Sequence, residues 1–350
     1  MQPCGQRLVH RAFVGWFVGV ALALVLSVFA VGWLVDPFGH FASDYSSYPD
    51  FMTAEDKARF AEWQRQAPFM LNQPLYKVAN FEKFATAAAA QGAPVNVVVG
   101  DSLARQVDTA ALARYEGQPW FTLAYGGASL AETLALVDHL LDHHYVGEIV
   151  WVLPFTRIVW ERHNRMSGAL AAVRNPVKHL FSYESLRAVF HVTRHRWLEI
   201  PFSAHDPREV AVAHRDNVTM LDRLRTLWSG RLLAEIEARI ARAESEGVRV
   251  TLVIPPNRPS FQARIDAELP EEVATYNAFL ANHRHIDVAE RNRQGWTDDQ
   301  FVDIYHLAAS EFPRFNAVVL QARGLPAAIA KQPKAEDSDT TIRAPAGKKG

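Results

Sequence analysis

The hydrophobic pattern begins with one long apolar run and then changes character. From Ala12 to Val35 the chain carries no charge, and Ser27 is the only clearly polar side chain. About 20 such residues suffice to cross the hydrocarbon core of a bilayer. Trp16 and Trp33 stand near the two ends, where indole rings favour the membrane interface. The pattern predicts one transmembrane helix over residues 12–35.

Two other interpretations of this run stay open. It is also compatible with a buried core helix or with a cleaved signal peptide, since Val28-Phe29-Ala30 has the form of a cleavage site. The length of the run favours an uncleaved anchor, because signal peptides carry shorter apolar regions. Arg7 and Arg11 precede the run and Asp36 follows it. The positive-inside rule therefore places residues 1–11 in the cytoplasm and the bulk of the chain outside.

After residue 36 the pattern changes to elements of a soluble domain. Residues 36–93 are a turn-rich lead-out followed by a helical stretch. Strand-length apolar runs then alternate with amphipathic stretches at Leu130 to His144 and Asp216 to Glu246. The runs are Val95–Val99, Trp120–Ala124, Ile149–Leu153, Val248–Ile254 and Ile286–Val288. This alternation predicts an α/β domain over residues 94–330, a three-layer sandwich with a mostly parallel sheet.

Composition excludes only a few classes of function and site. The net charge of −1 gives no global basic field for nucleic acid. The single cysteine, Cys4, excludes an internal disulfide or a cysteine-based zinc site. An insertion at about 157–215 is rich in aromatic residues and histidine, and we expect its basic stretch from His191 to Arg196 to be solvated, with an anionic glycan or lipid headgroups as the alternative. The tail at 331–350 has almost nothing to bury and is predicted to be disordered.

Two short motifs carry candidate chemistry. The first strand leads directly into Gly100-Asp101-Ser102-Leu103, and open α/β sheets bind ligands at the carboxyl ends of their strands. Near the C-terminal end lies Asp303-Ile304-Tyr305-His306. A serine, a histidine that takes its proton and a carboxylate that holds the imidazole form the pattern of nucleophilic acyl transfer. The alternative is a capping turn at the serine and an unrelated Asp-x-x-His.

Together these motifs resemble those of the GDSL/SGNH hydrolase superfamily, over roughly Pro94 to Gly324. The resemblance implies an SGNH hydrolase-like fold and a catalytic triad. Ser102 would be the nucleophile, His306 the general base and acid, and Asp303 the residue that orients it. No metal and no cofactor is implied.

The resemblance also implies an oxyanion hole, and here the sequence departs from the family. The N–H groups of Ser102 and a glycine would form it, with Gly127 the better match and Gly126 the alternative. The family's Gly-x-Asn-Asp segment after the third strand is missing, and Thr156 or Arg157 stands near the place of its asparagine.

Loss of one oxyanion donor costs roughly 10²–10³ in rate. We therefore expect the enzyme either to be slow or to use Arg157 as a substitute donor. An ion pair between Arg157 and Glu161 is an equally weighted structural alternative, and an inactive site is a third possibility.

The layout resembles a narrower group, the membrane-anchored SGNH-like proteins of bacterial envelope polysaccharide O-acylation, including alginate acetylation and D-alanyl transfer to teichoic acid. It implies an acyltransferase or esterase on the inner membrane, with a periplasmic or otherwise extracytoplasmic domain, a polysaccharide or acyl-ester substrate and a multi-span membrane O-acyltransferase as partner. The alternatives are a simple esterase or lipase, and an inactive SGNH-fold subunit that binds glycan or acts as a scaffold.

Two further features have ordinary interpretations. The acidic and histidine residues of one helix have the spacing of metal ligands, but we expect a solvated helix face there and no metal site; they are Asp138, His139, Asp142, His143 and His144. The segment from Pro255 to Pro259 follows a strand and is predicted to line the crevice.

Overall fold

A computed structural model describes residues 4–35, 74–159, 161, 164–196, 216–292 and 295–326. The helices are α1 (Cys4–Val35), α2 (Pro74–Ala90), α3 (Thr109–Glu116), α4 (Leu130–His143), α5 (Arg165–Val173), α6 (Pro176–Leu180), α7 (Tyr183–Arg196), α8 (Asp216–Leu227), α9 (Arg231–Ser245), α10 (Pro259–Glu268), α11 (Pro270–Ala281), α12 (Val288–Arg291) and α13 (Phe312–Ala322). The strands are β1 (Val95–Gly100), β2 (Trp120–Ala124), β3 (Val146–Val152), β4 (Arg249–Ile254) and β5 (His285–Asp287).

The five strands form one parallel sheet in the order β2-β1-β3-β4-β5. Val97 of β1 pairs with Phe121 on one side and Ile149 on the other. The chain winds outward from β1 to β2 and then returns to β3 on the other side of β1. The connections therefore diverge between β1 and β3, and open α/β sheets place their ligands at this switch point.

Each face of the sheet is covered by its own core, because strand side chains alternate between the two faces. Val97 and Val99 join the core beneath α2, α4 and α9, whereas Val98 joins the core beneath α3 and α13. The prediction of a three-layer α/β domain with a parallel sheet, preceded by one long apolar helix, is confirmed.

The prediction of one long helix from Asp216 to Glu246 is wrong. Two helices, α8 and α9, lie there, separated by residues 228–230. Trp228 forms a β-bridge with Val159, and its ring stacks on Phe155 with the centroids 6.2 Å apart. The apolar spacing of a helix continues in the sequence across residues 228–230, but these contacts of Trp228 with the loop after β3 interrupt the helix there. The fifth strand is also short and lies one residue earlier than predicted.

Helix α1 contains the apolar stretch Ala12–Leu34, with mean hydropathy 2.5, and its apolar window is exposed. Within the described residues it is the one helix long and apolar enough to cross a membrane. Helices α5, α6 and α7 lie in the predicted insertion. Most of the lead-out, at 36–73, and the predicted disordered tail at 331–350 lie outside the described residues.

Candidate active site

A tight turn at the end of β1 presents Ser102. Gly100 ends the strand with φ of 147°, and a Cβ there would lie 2.9 Å from the carbonyl oxygen of Val152. Only glycine accommodates both the backbone conformation and the close approach of β3. Buried Asp101 then caps a 3₁₀ turn, its Oδ1 accepting a hydrogen bond from Leu103 N at 2.9 Å. Ser102 is therefore held at the switch between β1 and β3.

The structure brings Ser102, His306 and Asp303 together in one chain of hydrogen bonds. Ser102 Oγ lies 2.7 Å from His306 Nε2, and His306 Nδ1 lies 2.6 Å from Asp303 Oδ2. A carboxylate at Nδ1 holds the proton on that nitrogen and leaves Nε2 free to accept from the serine hydroxyl. The side chains of His306 and Asp303 are 31% and 24% exposed, so the group is open to a substrate.

Backbone hydrogen bonds hold the loop that carries His306. Val302 N donates to His306 O at 2.8 Å, which closes the loop on itself. Arg258 N donates to Ile304 O at 2.9 Å. The segment after β4 that was predicted to line the crevice therefore supports the histidine loop through its main chain.

Asp303 is fixed by its own loop and kept ionised. Its Oδ1 accepts hydrogen bonds from the N–H groups of Tyr305 at 2.9 Å and His306 at 2.7 Å. Burial alone would raise the pKa of Asp303, but the hydrogen bonds and the proximity of His306 outweigh it, and the pKa is lowered. A carboxylate rather than a carboxylic acid therefore faces the imidazole.

The candidate oxyanion glycine lies in the turn after β2. Gly127 has φ of 69° and is the left-handed residue of the Gly126-Gly127 turn. Its carbonyl oxygen accepts a hydrogen bond from Arg165 Nη2 at 3.1 Å. Since β2 is the neighbour of β1, this turn lies at the same edge of the sheet as Ser102.

An ion pair between buried Glu132 and exposed Arg165 anchors this turn. Glu132 has no exposed surface; its Oε1 accepts from the backbone N–H of Arg165 at 2.6 Å and from Arg165 Nε at 3.1 Å. Its Oε2 accepts from Ser129 N at 2.9 Å, as part of the capping box of α4. Burial opposes ionisation of Glu132, but these hydrogen bonds and the charge of Arg165 outweigh it, and the pKa of Glu132 is lowered. Glu132 and Arg165 thus fix the geometry around Gly127.

Arg157 follows β3 and lies next to the serine turn. Its Nε donates to Asp101 Oδ2, and its guanidinium lies 5.7 Å from the ring centroid of Tyr305. Burial opposes its charge, but Asp101 raises the pKa of Arg157 above its ordinary value. The predicted alternative partner is wrong, because Glu161 accepts a hydrogen bond from Arg223 instead. Thr156, the other candidate at this place, is buried.

A second histidine–carboxylate cluster lies elsewhere, between α2 and α4. His139 Nε2 lies 2.7 Å from Glu82 Oε1, and His144 Nε2 lies 3.2 Å from the same oxygen. Arg174 Nη2 lies 3.0 Å from His139 Nδ1. The prediction of a solvated face is wrong for His139, which is 5% exposed, because α2 covers this part of α4. Asp142 and His143, by contrast, are exposed.

This cluster also has the spacing of a metal site. The ligand atoms of Glu82, His139 and His144 lie within 4.8 Å of one another. Because Arg174 can only donate, His139 Nδ1 accepts from it, and His139 Nε2 donates to Glu82 Oε1. The cluster is therefore a hydrogen-bonded tether between α2, α4 and the end of α5.

Comparisons with known proteins add little at this distance. No protein-family model and no curated protein matches the chain. Two similar solved structures are a protein classed as lipolytic and of the G-D-S-L family from Desulfitobacterium hafniense DCB-2 and a protein described as a platelet activating factor from Streptococcus pneumonia. The first is 12% identical, with 66% of this chain and 99% of that chain covered and a TM-score of 0.34. The second is 13% identical, with 77% and 98% covered and a TM-score of 0.32. Likenesses at this level carry no information about the reaction.

Proposed function

We propose that this chain is a serine esterase or O-acyltransferase of the GDSL/SGNH type. The proposal rests on the chain of hydrogen bonds from Ser102 through His306 to Asp303. The distances are 2.7 Å from Ser102 Oγ to His306 Nε2 and 2.6 Å from His306 Nδ1 to Asp303 Oδ2. It stands at the carboxyl edge of a parallel sheet, where such folds bind ligands. A nucleophile, a base and an orienting carboxylate within hydrogen-bond reach are the requirements for covalent acyl transfer.

The proposed reaction proceeds in two halves. Ser102 Oγ attacks the carbonyl carbon of an ester while His306 Nε2 takes the hydroxyl proton. The tetrahedral intermediate then collapses, and the departing alkoxide takes that proton from His306. In the second half, water or an acceptor hydroxyl gives its proton to His306 and attacks the acyl-serine. The bond between the acyl carbon and Ser102 Oγ then breaks, and Oγ takes the proton back from His306. Asp303 stabilises the imidazolium in both halves.

Donors at the turn ends would stabilise the oxyanion. We assign this role to the N–H groups of Ser102 and Gly127, with Arg157 as a third donor where the family has asparagine. The ion pair with Asp101 keeps Arg157 charged beside the serine turn. An always-charged guanidinium in a partly dry crevice is a strong electrostatic partner for a developing negative charge.

The finer assignment is O-acylation of a cell-envelope polysaccharide at the outer face of the bacterial inner membrane. The apolar helix, the missing asparagine and the order of the motifs support it. In this proposal α1 anchors the domain, and a multi-span membrane O-acyltransferase supplies the acyl group. The alternatives are a simple esterase or lipase and an inactive glycan-binding or scaffold subunit.

Hydrolysis of an acetyl ester reporter tests the chemistry. We expect turnover by the wild-type protein and covalent labelling of Ser102 by a fluorophosphonate. Absence of both would favour the scaffold alternative. Acetyl transfer to a polysaccharide in preference to water would separate the transferase from the esterase. A reporter fused after residue 330 should be active only outside the cytoplasm, and activity only inside would contradict the orientation.

A further inference from the structure

The end of α1 is packed against the insertion. Gly32 lies in the last turn of the apolar stretch and is buried, and a Cβ at this position would lie 2.9 Å from Leu180 Cδ2. Helix α1 contacts both α6 and α7. If α1 crosses a bilayer, this packing places α6 and α7 at the depth of its last turn, which is the interface between lipid headgroups and hydrocarbon.

Helix α7 turns large apolar side chains outward. Tyr183, Leu186 and Phe190 are 75%, 40% and 61% exposed, and their spacing of three and four residues places them on one face of the helix. Ser185 and Ala188, on the opposite face, are buried against the domain. The exposed face of this helix therefore carries large apolar side chains, where a water-exposed helix face is usually polar.

Helix α6 extends this apolar face and adds positive charge. Val177 is 57% exposed and is followed by exposed Lys178. Arg187 lies on the same stripe of α7 as the apolar side chains. Aromatic and aliphatic residues flanked by basic ones are typical of helices that lie in the membrane interface. A group of exposed large apolar side chains on two helices in contact is typical of an interaction surface.

We propose that α6 and α7 form a second membrane contact, an interfacial patch of Val177, Tyr183, Leu186 and Phe190 that inserts among the headgroups of the bilayer crossed by α1. The proposal rests on the proposed anchoring by α1 and is independent of the catalytic chemistry. A span and a patch joined through Gly32 and Leu180 would hold the catalytic domain in one orientation at the membrane surface.

Depth-dependent quenching of a fluorophore tests this proposal in the full chain. In a Cys4→Ser background, the polarity-sensitive fluorophore NBD is attached at Leu186→Cys or Phe190→Cys. The protein is reconstituted in vesicles of phosphatidylcholine and phosphatidylglycerol that contain a shallow nitroxide lipid. Gln321→Cys serves as the control, since it is exposed on α13, across the sheet from α7. We expect quenching at positions 186 and 190 to exceed that at 321 by about twofold or more.

A label at Leu24→Cys separates the two proposals, because this residue lies within the apolar stretch of α1. Quenching of Leu24 by a deep nitroxide lipid, with positions 186 and 190 quenched no more than 321, would overturn the interfacial patch and leave the anchor in place. An unquenched Leu24 would overturn the anchor and the patch with it. Labels at 186 and 190 that are shielded from both nitroxide lipid and aqueous iodide would show that protein covers the patch, which also overturns the proposal. Circular dichroism of each labelled variant confirms that it is folded.

Discussion

The protein contains two histidine–carboxylate clusters that look alike as contacts and differ in what stands beyond the imidazole. In the first, Asp303 holds one nitrogen of His306 and the other nitrogen meets the hydroxyl of Ser102. In the second, Glu82 holds one nitrogen of His139 and the other accepts a hydrogen bond from Arg174. A hydroxyl can give up its proton to imidazole, whereas a guanidinium does not.

The two clusters also differ in how exposed their histidines are. The triad lies on loops at the edge of the sheet, where the side chain of His306 is 31% exposed. The side chain of His139 is 4% exposed between packed helices. A short histidine–carboxylate contact is therefore not by itself evidence of catalysis. Catalysis also needs a nucleophile and access for the substrate, which the cluster at His306 has. Among the described residues, the cluster at His139 has neither, and we expect it to contribute to stability.

Removal of the nucleophile gives the largest expected difference between the clusters. Ser102→Ala should lower the turnover of an acetyl ester by about 10⁵-fold, since triad members act as a unit. His139→Ala, the matched change in the other cluster, should leave turnover within about twofold. Circular dichroism and thermal unfolding check that both variants fold. Comparable losses of activity in the two folded variants would contradict the distinction.

Substitution of the two carboxylates, Asp303 and Glu82, should also affect turnover differently. Asp303→Asn keeps the size of the side chain but no longer fixes the His306 proton on Nδ1, and we expect a loss in turnover of about 10³–10⁴. The lowered pKa of Asp303 means that its charge persists at pH values below its ordinary titration range. Glu82→Gln should leave turnover unchanged. Steady-state kinetics of both variants measure the contrast, and a slow Glu82→Gln enzyme with an unchanged melting temperature would contradict it.

The sequence predicts the first cluster better than the second. Ser102 follows a β-branched strand, and Asp303 and His306 are three apart, so these motifs and the family resemblance predict the triad. That Ser102 meets His306, 204 residues further along the chain, depends on the fold. Glu82 and His139 are joined only because α2 packs over α4, and no periodicity in either helix indicates which faces meet. A helix with alternating acidic and histidine residues therefore has the pattern of a solvated surface although part of it is buried.

The residues that support the site differ, for the same reason, in how much local sequence pattern they leave. Glu132 is visible in the sequence, since Ser129-x-x-Glu132 is a capping-box pattern. Its partner Arg165 lies 33 residues further along the chain, and nothing local to it predicts the contact. The ion pair between Arg157 and Asp101 likewise depends on the adjacency of β1 and β3, which fold topology sets and side-chain spacing does not.

Arg157 offers a sharper test with a smaller effect. As an oxyanion donor its loss in Arg157→Met should lower turnover by roughly 10²-fold with substrate binding little changed, and Arg157→Lys should restore part of the rate. Arg157→Met also leaves the buried carboxylate of Asp101 without its cation, which destabilises the serine turn. The double variant Asp101→Asn/Arg157→Met removes both charges and separates the two effects. If the double variant stays slow, Arg157 acts on the oxyanion; recovery of the wild-type rate would assign it to positioning alone.

The smallest expected effect concerns the second cluster and is a change in how the free energy of unfolding depends on pH. Burial opposes ionisation of Glu82, but hydrogen bonds from His139 and His144 lower its pKa from 4.5 to about 2. A carboxylate whose pKa is lower in the folded than in the unfolded chain stabilises the fold at pH values above the unfolded pKa. This contribution is lost as the pH falls from about 4.5 toward 2.

With the Glu82 side chain 31% exposed, we expect Glu82→Gln to cost about 1–2 kcal/mol of unfolding free energy at neutral pH. Thermal or denaturant unfolding across this range should show the gap to wild type closing as the pH falls. Glu271→Gln, an exposed carboxylate on α11, is the control and should show no gap. A gap for Glu82→Gln that stays constant with pH would mean that the charge of Glu82 does not hold the tether together.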